Sequence, residues 1–240
     1  MLLAGLFLFG MSAFSQITYV KTGASGANTG ASWADAYPDL STALANTATG
    51  EIWVAGGVYK PGTDTLSRFE IGNAVAIYGG FAGTETMLDQ RDPAANPTIL
   101  DGDVNGDDTA GDFDNNKSDN VFHVVYVDSL IADPVILDGF TIRNGRVYAE
   151  SDTLDAYFSQ GAGLWAFSTV DVRNTTFTQN IGGAGAAAVI LGENAAGSSF
   201  DNVVFDANQA YSNAVLLAVL TSDLSLNNTG FITPWEHSTW

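Results

Sequence analysis

The C-terminal half of the chain repeats a pattern in which an aromatic residue is followed three positions later by asparagine and then by small apolar residues. The pattern occurs as FTQNIGGAGAAAV at residues 177–189 and, more loosely, as FDANQAYSNAVLL at residues 205–217. Repetition of this kind indicates a solenoid of stacked coils, because no single coil can bury its apolar face alone.

A glycine or asparagine ends each of a series of short strand-like segments. Both residue types tolerate a left-handed backbone, which a tight turn between strands requires. The turn residues recur at intervals of roughly 22 to 37 positions, about one coil of a β-solenoid. They are Gly57, Gly80, Gly102, Gly139, Asn174, Asn202 and Asn228.

Apolar residues keep a constant offset from the later turn residues. Since stacked coils place equivalent residues about 4.8 Å apart, each offset predicts an inward-facing column, and the asparagines predict a ladder at the turn. The first column is Leu137, Val172, Phe200 and Leu226, and the second is Ile142, Phe177, Phe205 and Phe231. The predicted fold is all-β, a solenoid of stacked coils.

The N-terminal stretch SWADAYPDLSTALANTATG differs from the repeats and predicts a short helix that covers the open end of the solenoid. Pro38 suits the first helical turn, Leu40 and Leu44 share one face, and Gly50 follows the end. The C-terminal FITPWEHSTW has no such cover, so we expect the native protein to continue past Trp240.

The first residues, MLLAGLFLFGMSAFSQ, are almost wholly apolar but too short to span a membrane. Ala13 and Ser15 are the small residues that a signal peptidase needs, so residues 1–15 are predicted to be a signal peptide. The alternative is a buried N-terminal strand. Residues 16–240 then form a single β-helix domain, with no transmembrane segment.

The chain is strongly acidic. Its 8 Lys and Arg residues stand against 27 Asp and Glu residues, a net charge of -19 over 240 residues. Such a surface repels phosphate backbones, so nucleic acid is excluded as a partner, and cations are favoured. The absence of cysteine excludes disulfides and thiolate metal sites.

The stretch DGDVNGDDTAGD, residues 101–112, predicts a calcium site in a polar insertion. Oxygen-bearing side chains at alternate positions can converge on one hard cation, and Gly106 permits the sharp turn. Aspartate replaces the usual glutamate at the last position, and a solvated acidic turn is the alternative. The predicted ligands are the carboxylates of Asp101, Asp103 and Asp112, the side chain of Asn105 and the backbone carbonyl of Asp107.

The residues immediately before the turn residues form a column in which Arg173 stands between carboxylates. Asp138 and Asp201 would lie two coils apart, roughly 9–10 Å, near the upper limit for an inverting glycosidase pair. The alternative is an outward charge ladder. The full column is Asp101, Asp138, Arg173, Asp201 and Asn227. His123, in an alternating segment, is interpreted as a structural residue.

Five stretches, in order, carry a family resemblance: SWADAYPDLSTAL, IWVAGGVYKP, AIYGGFAGTET, QRDPAANPTILDGDVNGDD and LDGFTIRNG. They resemble the N-terminal region of secreted right-handed parallel β-helix proteins of the pectate-lyase-like superfamily, above all surface proteins exported by type 9 secretion. The resemblance implies that the predicted all-β solenoid is a right-handed parallel β-helix. The later FTQN, GGAGA and FDAN are similar to the repeats of polymorphic outer-membrane proteins. The resemblance implies export to the cell surface or outer membrane, but no one activity.

Two functions follow as expectations. The first is a non-enzymatic surface or adhesion module, stabilised by calcium and binding a polysaccharide or another surface ligand. The second is a calcium-dependent polysaccharide lyase or glycoside hydrolase, whose candidate basic groups are Arg143, Arg146 and Arg173. The Asp107–Asp108 pair is similar to the paired catalytic aspartates of β-helix hydrolases.

Overall fold

The strands of this protein form three stacked parallel sheets that the chain visits in a fixed order. The computed structural model describes residues 16–147, 161–182, 188–210, 217–219 and 223–232. Successive coils pass through sheet 1, sheet 2 and sheet 3, and each strand pairs in parallel with its counterpart one coil away. The predicted all-β parallel β-helix is confirmed. The predicted signal peptide and Trp240 lie outside the described residues.

Sheet 1 contains β1 (Ile17–Val20), β2 (Gly50–Ala55), β5 (Val75–Phe81), β8 (Val135–Asp138), β11 (Val170–Arg173), β15 (Ser199–Asp201) and β19 (Ser225–Asn227). Sheet 2 contains β3 (Gly57–Tyr59), β6 (Thr98–Asp101), β9 (Phe140–Arg143), β12 (Thr176–Thr178), β16 (Val204–Asp206) and β20 (Gly230–Ile232). Sheet 3 contains β4 (Phe69–Ile71), β7 (Val125–Val127), β10 (Leu164–Ala166), β14 (Val189–Leu191) and β18 (Leu217–Val219). A small pair is formed by β13 (Ile181–Gly182) and β17 (Gln209–Ala210).

The predicted N-terminal helix is present as α1 (Leu40–Asn46). Asp39 is its N-cap, and the carboxylate accepts a 2.7 Å hydrogen bond from the backbone N–H of Thr42. Pro38 therefore precedes the cap rather than lying in the first turn. The helix packs on β1, β2 and β4 at the N-terminal end of the solenoid, and its buried residues are Leu40, Ala43 and Leu44. Within the described ranges no helix is long and apolar enough to cross a membrane.

The turn between sheets 1 and 2 is built on the predicted asparagines. Asn174, Asn202 and Asn228 have positive φ angles of 46°, 54° and 46°. Their side-chain amides bond to one another from coil to coil, at 2.8 Å between Asn202 and Asn174 and 3.1 Å between Asn228 and Asn202. Asn174 continues the row by donating to Asp138 at 2.9 Å. The predicted asparagine ladder is confirmed.

Both predicted columns have the predicted register, and their members are buried except Leu226 and Phe231 of the last described coil, which are 48% and 49% exposed. In sheet 1, Leu137, Val172, Phe200 and Leu226 are successive partners. In sheet 2, Ile142, Phe177, Phe205 and Phe231 are successive partners. Neighbouring rings stack with centroids 5.2 Å and 5.0 Å apart. Residues 183–187, which follow the first FxxN motif, lie outside the described part of the chain.

One part of the predicted register is wrong. The sequence ILDG occurs at residues 99–102 and 136–139, but the two copies lie in different sheets. Strand β6 belongs to sheet 2, where Asp101 pairs with Arg143, whereas β8 belongs to sheet 1. Gly139 has a φ of 87° at the turn between sheets 1 and 2, whereas Gly102 is not among the positive-φ glycines. Asp101 is therefore not in the column of Asp138, Arg173 and Asp201.

The buried Tyr59 in β3 leads us to expect that the protein loses stability at alkaline pH. The residue is 3% exposed, and its hydroxyl donates to the carbonyl of Ala55 at 2.9 Å. Burial raises the pKa of Tyr59 from 10.0 to about 12. The unfolded chain therefore loses this proton first, and the free energy of unfolding should fall as the pH rises from about 10 to 12, by about 2–3 kcal/mol in all.

Urea unfolding at pH 8, 10 and 12 measures this loss against Tyr59→Phe. The variant has a lower stability at pH 8, because the hydrogen bond is lost, but a flatter dependence above pH 10. The other tyrosines and the lysines titrate in both proteins, so the difference between the two slopes reports Tyr59. Parallel slopes would contradict the prediction.

Candidate functional site

The acidic insertion, residues 102–120, connects sheet 2 to sheet 3 and is organised around Asp103. This side chain is buried, and its carboxylate accepts backbone N–H bonds from Gly106 at 2.5 Å and from Asp108 at 3.0 Å. Lys60 donates to the carbonyl of Val104 at 3.0 Å. The first turn of the insertion is therefore held by backbone contacts to one carboxylate and by one lysine.

The five residues predicted as calcium ligands do not all meet. The carboxylate of Asp101 accepts bonds from Arg143 at 2.7 and 3.0 Å and from Asn144 at 2.8 Å. Asp112 is half-buried and caps the following turn, where its carboxylate accepts hydrogen bonds from the N–H groups of Asp114 and Asn115. The backbone N–H of Asn105 donates to Asp119 at 2.9 Å.

Three carboxylates in the insertion converge. Oxygens of Asp103, Asp107 and Asp108 lie within 4.8 Å of one another, a spacing that suits one cation. Two of the three residues were predicted as ligands, Asp103 through its carboxylate and Asp107 through its backbone carbonyl, whereas Asp108 was noted only as the partner of Asp107 in a pair. Calcium binding by the insertion stays a prediction.

A buried lysine, Lys117, is paired with one carboxylate of this cluster. The Nζ of Lys117 is 2.7 Å from Oδ2 of Asp108, and the side chains are 1% and 4% exposed. Asn120, 0% exposed, donates to the same Oδ2 at 2.9 Å. Burial raises the pKa of Asp108, although the hydrogen bonds from Lys117 and Asn120 oppose that shift. Sequence reasoning missed these partners; a lone lysine in an acidic insertion was the available signal.

In the column centred on Arg173, the strand register is as predicted, but the ion pairs are not the predicted ones. Arg173 is the Cα partner of both Asp138 and Asp201. Its guanidinium, however, binds Asp171 on the same strand, and Asp138 is bound instead by Arg91 at 2.7 Å. Burial favours a higher pKa for the Asp171 carboxyl, but hydrogen bonds from Arg173 and Ser199 outweigh it and lower that pKa.

Two of the three arginines proposed as catalytic bases are paired with carboxylates of the fold. Arg143 pairs with Asp101 and Arg173 with Asp171, and Arg146 forms an isolated backbone bridge with Ile181. His123 is 5% exposed, with Nδ1 3.1 Å from the carbonyl of Gly161 and the ring edge-on to Trp165 at 4.7 Å. These contacts support the interpretation of His123 as a structural residue.

A shallow groove of about 610 Å³ runs along the outer face of sheet 2 beside the loop of residues 88–97. We call it the ladder groove. Loop residues including Arg91, Asp92 and Pro93 form one wall, and Arg91 is already bound to Asp138. The floor carries hydroxyl and amide groups from successive coils: Thr141, Thr176, Asn174 and Asn202.

Among these floor residues, Thr141 and Thr176 are Cα partners in adjacent coils, as Asn174 and Asn202 are ladder neighbours. Such groups both donate and accept hydrogen bonds. The ladder groove therefore offers a row of neutral polar groups repeated at the strand spacing, about 4.8 Å. No protein family, no curated protein and no solved structure matches this chain.

Proposed function

We propose that this protein is a secreted or cell-surface β-helix that binds a neutral polysaccharide in the ladder groove and has no catalytic activity. The observation that supports the proposal is the row of threonine hydroxyls and asparagine amides on the groove floor. An extended polysaccharide presents hydroxyl groups at every sugar unit, a repeat comparable to the spacing between coils. One ligand chain can therefore meet the same kind of side chain at each coil.

The charge of the protein favours a neutral ligand. The net charge of -19 repels an anionic polymer, because the field of the whole surface acts on it. Within the ladder groove the guanidinium of Arg91 is bound to Asp138, and Asp89 and Asp92 lie on the same wall. An acidic polysaccharide would meet these carboxylates with no unpaired arginine opposite them.

The ion pairs favour binding over catalysis. A lyase needs a basic group beside a bound uronate, but Arg143 and Arg173 each hold a carboxylate of the fold. Asp138, one half of the conceivable glycosidase pair, is 5% exposed and bound by Arg91 and Asn174. It has little access to a glycosidic oxygen.

The proposed setting is the cell surface. It rests on the apolar residues 1–15, on the acidic composition and on the resemblance to pectate-lyase-like surface proteins exported by type 9 secretion. The parallel β-helix is the fold expected of such proteins. Expression with residues 1–15 in a bacterium with that secretion system, followed by cell fractionation, tests the setting directly.

The ligand prediction uses two threonines on one strand. Thr176 and Thr178 both point outward from β12 and are both half-buried, but only Thr176 lines the ladder groove. We expect the protein to bind a neutral polymer from the set laminarin, xyloglucan and mannan. Thr176→Val should weaken that binding about five- to tenfold, the effect of losing one hydrogen bond. Thr178→Val should leave the affinity unchanged.

Calorimetry on the purified protein measures these affinities, with polygalacturonate as the anionic control. Equal affinities for Thr176→Val and the parent, or binding of none of the neutral polymers, would contradict the proposed function. Release of unsaturated oligosaccharides from polygalacturonate, abolished by Arg173→Ala, would establish the lyase instead.

Calcium should stabilise the insertion. Carboxylates that crowd within a few ångströms repel one another, and a divalent cation removes that repulsion. With a dissociation constant of about 10⁻⁴–10⁻³ M, calcium at about 10 mM should raise the free energy of unfolding by about 1–3 kcal/mol. Magnesium should have a smaller effect, because it keeps its waters and needs a tighter octahedron.

Two single substitutions decide which carboxylates take part. Asp107 is exposed and its side chain belongs to the converging cluster, whereas Asp112 belongs only to the sequence pattern. Asp107→Asn should abolish the calcium response in a thermal melt, and Asp112→Asn should retain it. Loss in both variants would restore the sequence-predicted ligand set, and no response in the parent would reject the site.

A further inference from the structure

One end of the ladder groove is closed by the loop of residues 88–97. The loop crosses the turn between sheets 1 and 2 at Gly80 and Gly139, the two turn residues immediately before the asparagine ladder. A methyl group on Gly80 would lie 2.6 Å from Cγ of Pro93, and one on Gly139 would lie 3.2 Å from the same atom. The backbone N–H of Asp92 donates to the carbonyl of Gly80 at 2.8 Å. The loop therefore lies directly on these two coils, with no room for a ligand beneath it.

In the opposite direction the groove continues along the solenoid. The outward-facing Thr141 and Thr176 are followed in sheet 2 by their coil partners Val204 and Gly230. A second shallow depression, of about 510 Å³, is lined by Val204 and Gly230 and shares Asn202 with the ladder groove. The two depressions form one path that begins at the loop and runs towards the last described coil.

The closed end carries a carboxylate that the loop holds in place. Asp92 is exposed on the wall of the ladder groove, and its Oδ1 accepts N–H bonds from Ala94 at 3.0 Å and Ala95 at 3.1 Å. Both of these bonds go to Oδ1, so Oδ2 can accept a hydroxyl group from a ligand. The terminal sugar of a polysaccharide has a hydroxyl where an interior sugar has a glycosidic bond. A hydrogen-bond acceptor at the closed end therefore suits a terminal sugar.

We propose that the ladder groove binds the end of a neutral polysaccharide chain, with the terminal sugar against the loop and one of its hydroxyl groups bound by Asp92. This inference rests on the proposed function and adds to it which part of the polymer is recognised. An interior segment lying along the groove would have to continue through the loop at Gly80 and Gly139. A chain end meets no such obstacle, and its next sugars reach Thr141 and Thr176.

The length of the path limits how much of the chain is bound. The outward row from Thr141 to Gly230 spans three strand spacings, about 14 Å. With one sugar at each coil, the row accommodates about four sugar units. The affinity for linear oligosaccharides should therefore rise with their length and level off at about four units.

Calorimetry with linear fractions of increasing mean length tests the inference, and the polymer used is the best-bound member of the neutral set. Recognition of a chain end predicts that the number of protein molecules bound per polymer chain stays constant. A number that grows in proportion to chain length would overturn the inference and leave the proposed function standing. Binding of none of the neutral polymers would reject the proposed function, and the inference with it.

A matched pair of substitutions tests the role of Asp92. Asp64 caps its own turn in the same way, since its Oδ1 accepts N–H bonds from Leu66 at 3.0 Å and Ser67 at 2.9 Å, but it does not line the ladder groove. Serine retains a capping oxygen in such turns and lacks the second carboxylate oxygen. Asp92→Ser should weaken the binding of short oligosaccharides about tenfold, the effect of losing a hydrogen bond to a charged group.

Asp64→Ser should bind the same oligosaccharides as tightly as the parent does. Circular dichroism of both variants checks that the fold is retained. Equal affinities for the two folded variants would overturn the role of Asp92, whatever the number of protein molecules bound per chain.

Discussion

Replacement of Phe177 by alanine is expected to lower the free energy of unfolding by about 3–5 kcal/mol, the usual range for a large buried aromatic. Phe177 is 0% exposed and lies in the middle of the sheet 2 column. Its ring stacks on Phe205 at 5.2 Å with an interplanar angle of 11°. Truncation leaves a cavity between two coils that cannot close, because both strand registers are held by the neighbouring coils.

Urea unfolding followed by circular dichroism measures this effect, and the same column supplies a graded comparison. Phe231 is 49% exposed at the last described coil, so Phe231→Ala should cost less than Phe177→Ala. Thr178→Ala, on the outer face of the same strand, should stay within about 1 kcal/mol of the parent. Equal losses for Phe177→Ala and Thr178→Ala would contradict the inward column.

Removal of the Arg91 side chain should cost about 3–5 kcal/mol as well, because it leaves a buried carboxylate without its cation. Arg91 bonds to Oδ2 of Asp138 at 2.7 Å and to the carbonyls of Gly79 and Asp138 at 3.0 and 3.1 Å. The two charged side chains are only 13% and 7% exposed. In Arg91→Ala, the Asn174 amide is the remaining side-chain donor described for the Asp138 carboxylate.

The matched control is Arg173→Ala, which removes an arginine from a pair on the adjacent coil. Its side chain is 43% exposed, and exposed pairs contribute about 0–1 kcal/mol. In the Arg91→Ala background, Asp138→Asn should recover part of the lost stability, since the uncompensated charge is then gone. Equal losses for the two arginine variants, or no recovery in the double variant, would show that the buried charge is not the cause.

The interior of the coils was predictable because it follows from local patterns. A side chain two residues before a left-handed turn faces the same way in every coil, so the offset alone places Val172 and Phe200 in one column. The amphipathic stretch before Gly50 likewise predicted α1, since Leu40 and Leu44 lie one helical turn apart. These features depend on neighbours along the chain.

The wrong placement of Asp101 shows what local patterns cannot predict. Residues 98–101 and 135–138 have the same burial pattern, since Ile99 and Ile136 are the half-buried member of each strand. Alternation reports which face is inward, but not to which sheet a strand belongs. That choice depends on the length and path of the loop of residues 82–97, which enters the turn between sheets 1 and 2.

The sequence by itself determined the repeating coil, the inward columns, the asparagine ladder and the covering helix, because each follows from short-range periodicity and backbone preference. Only the tertiary structure decided which charges meet. Arg91 reaches Asp138 across 47 positions, and Arg143 reaches Asp101 across 42. Lys117 and Asp108 are joined through the path of the insertion. Long charged side chains pair with the groups that lie near them in space, and the loops between strands determine which groups are near. These loops follow no repeat, so their paths cannot be predicted from the periodicity of the sequence.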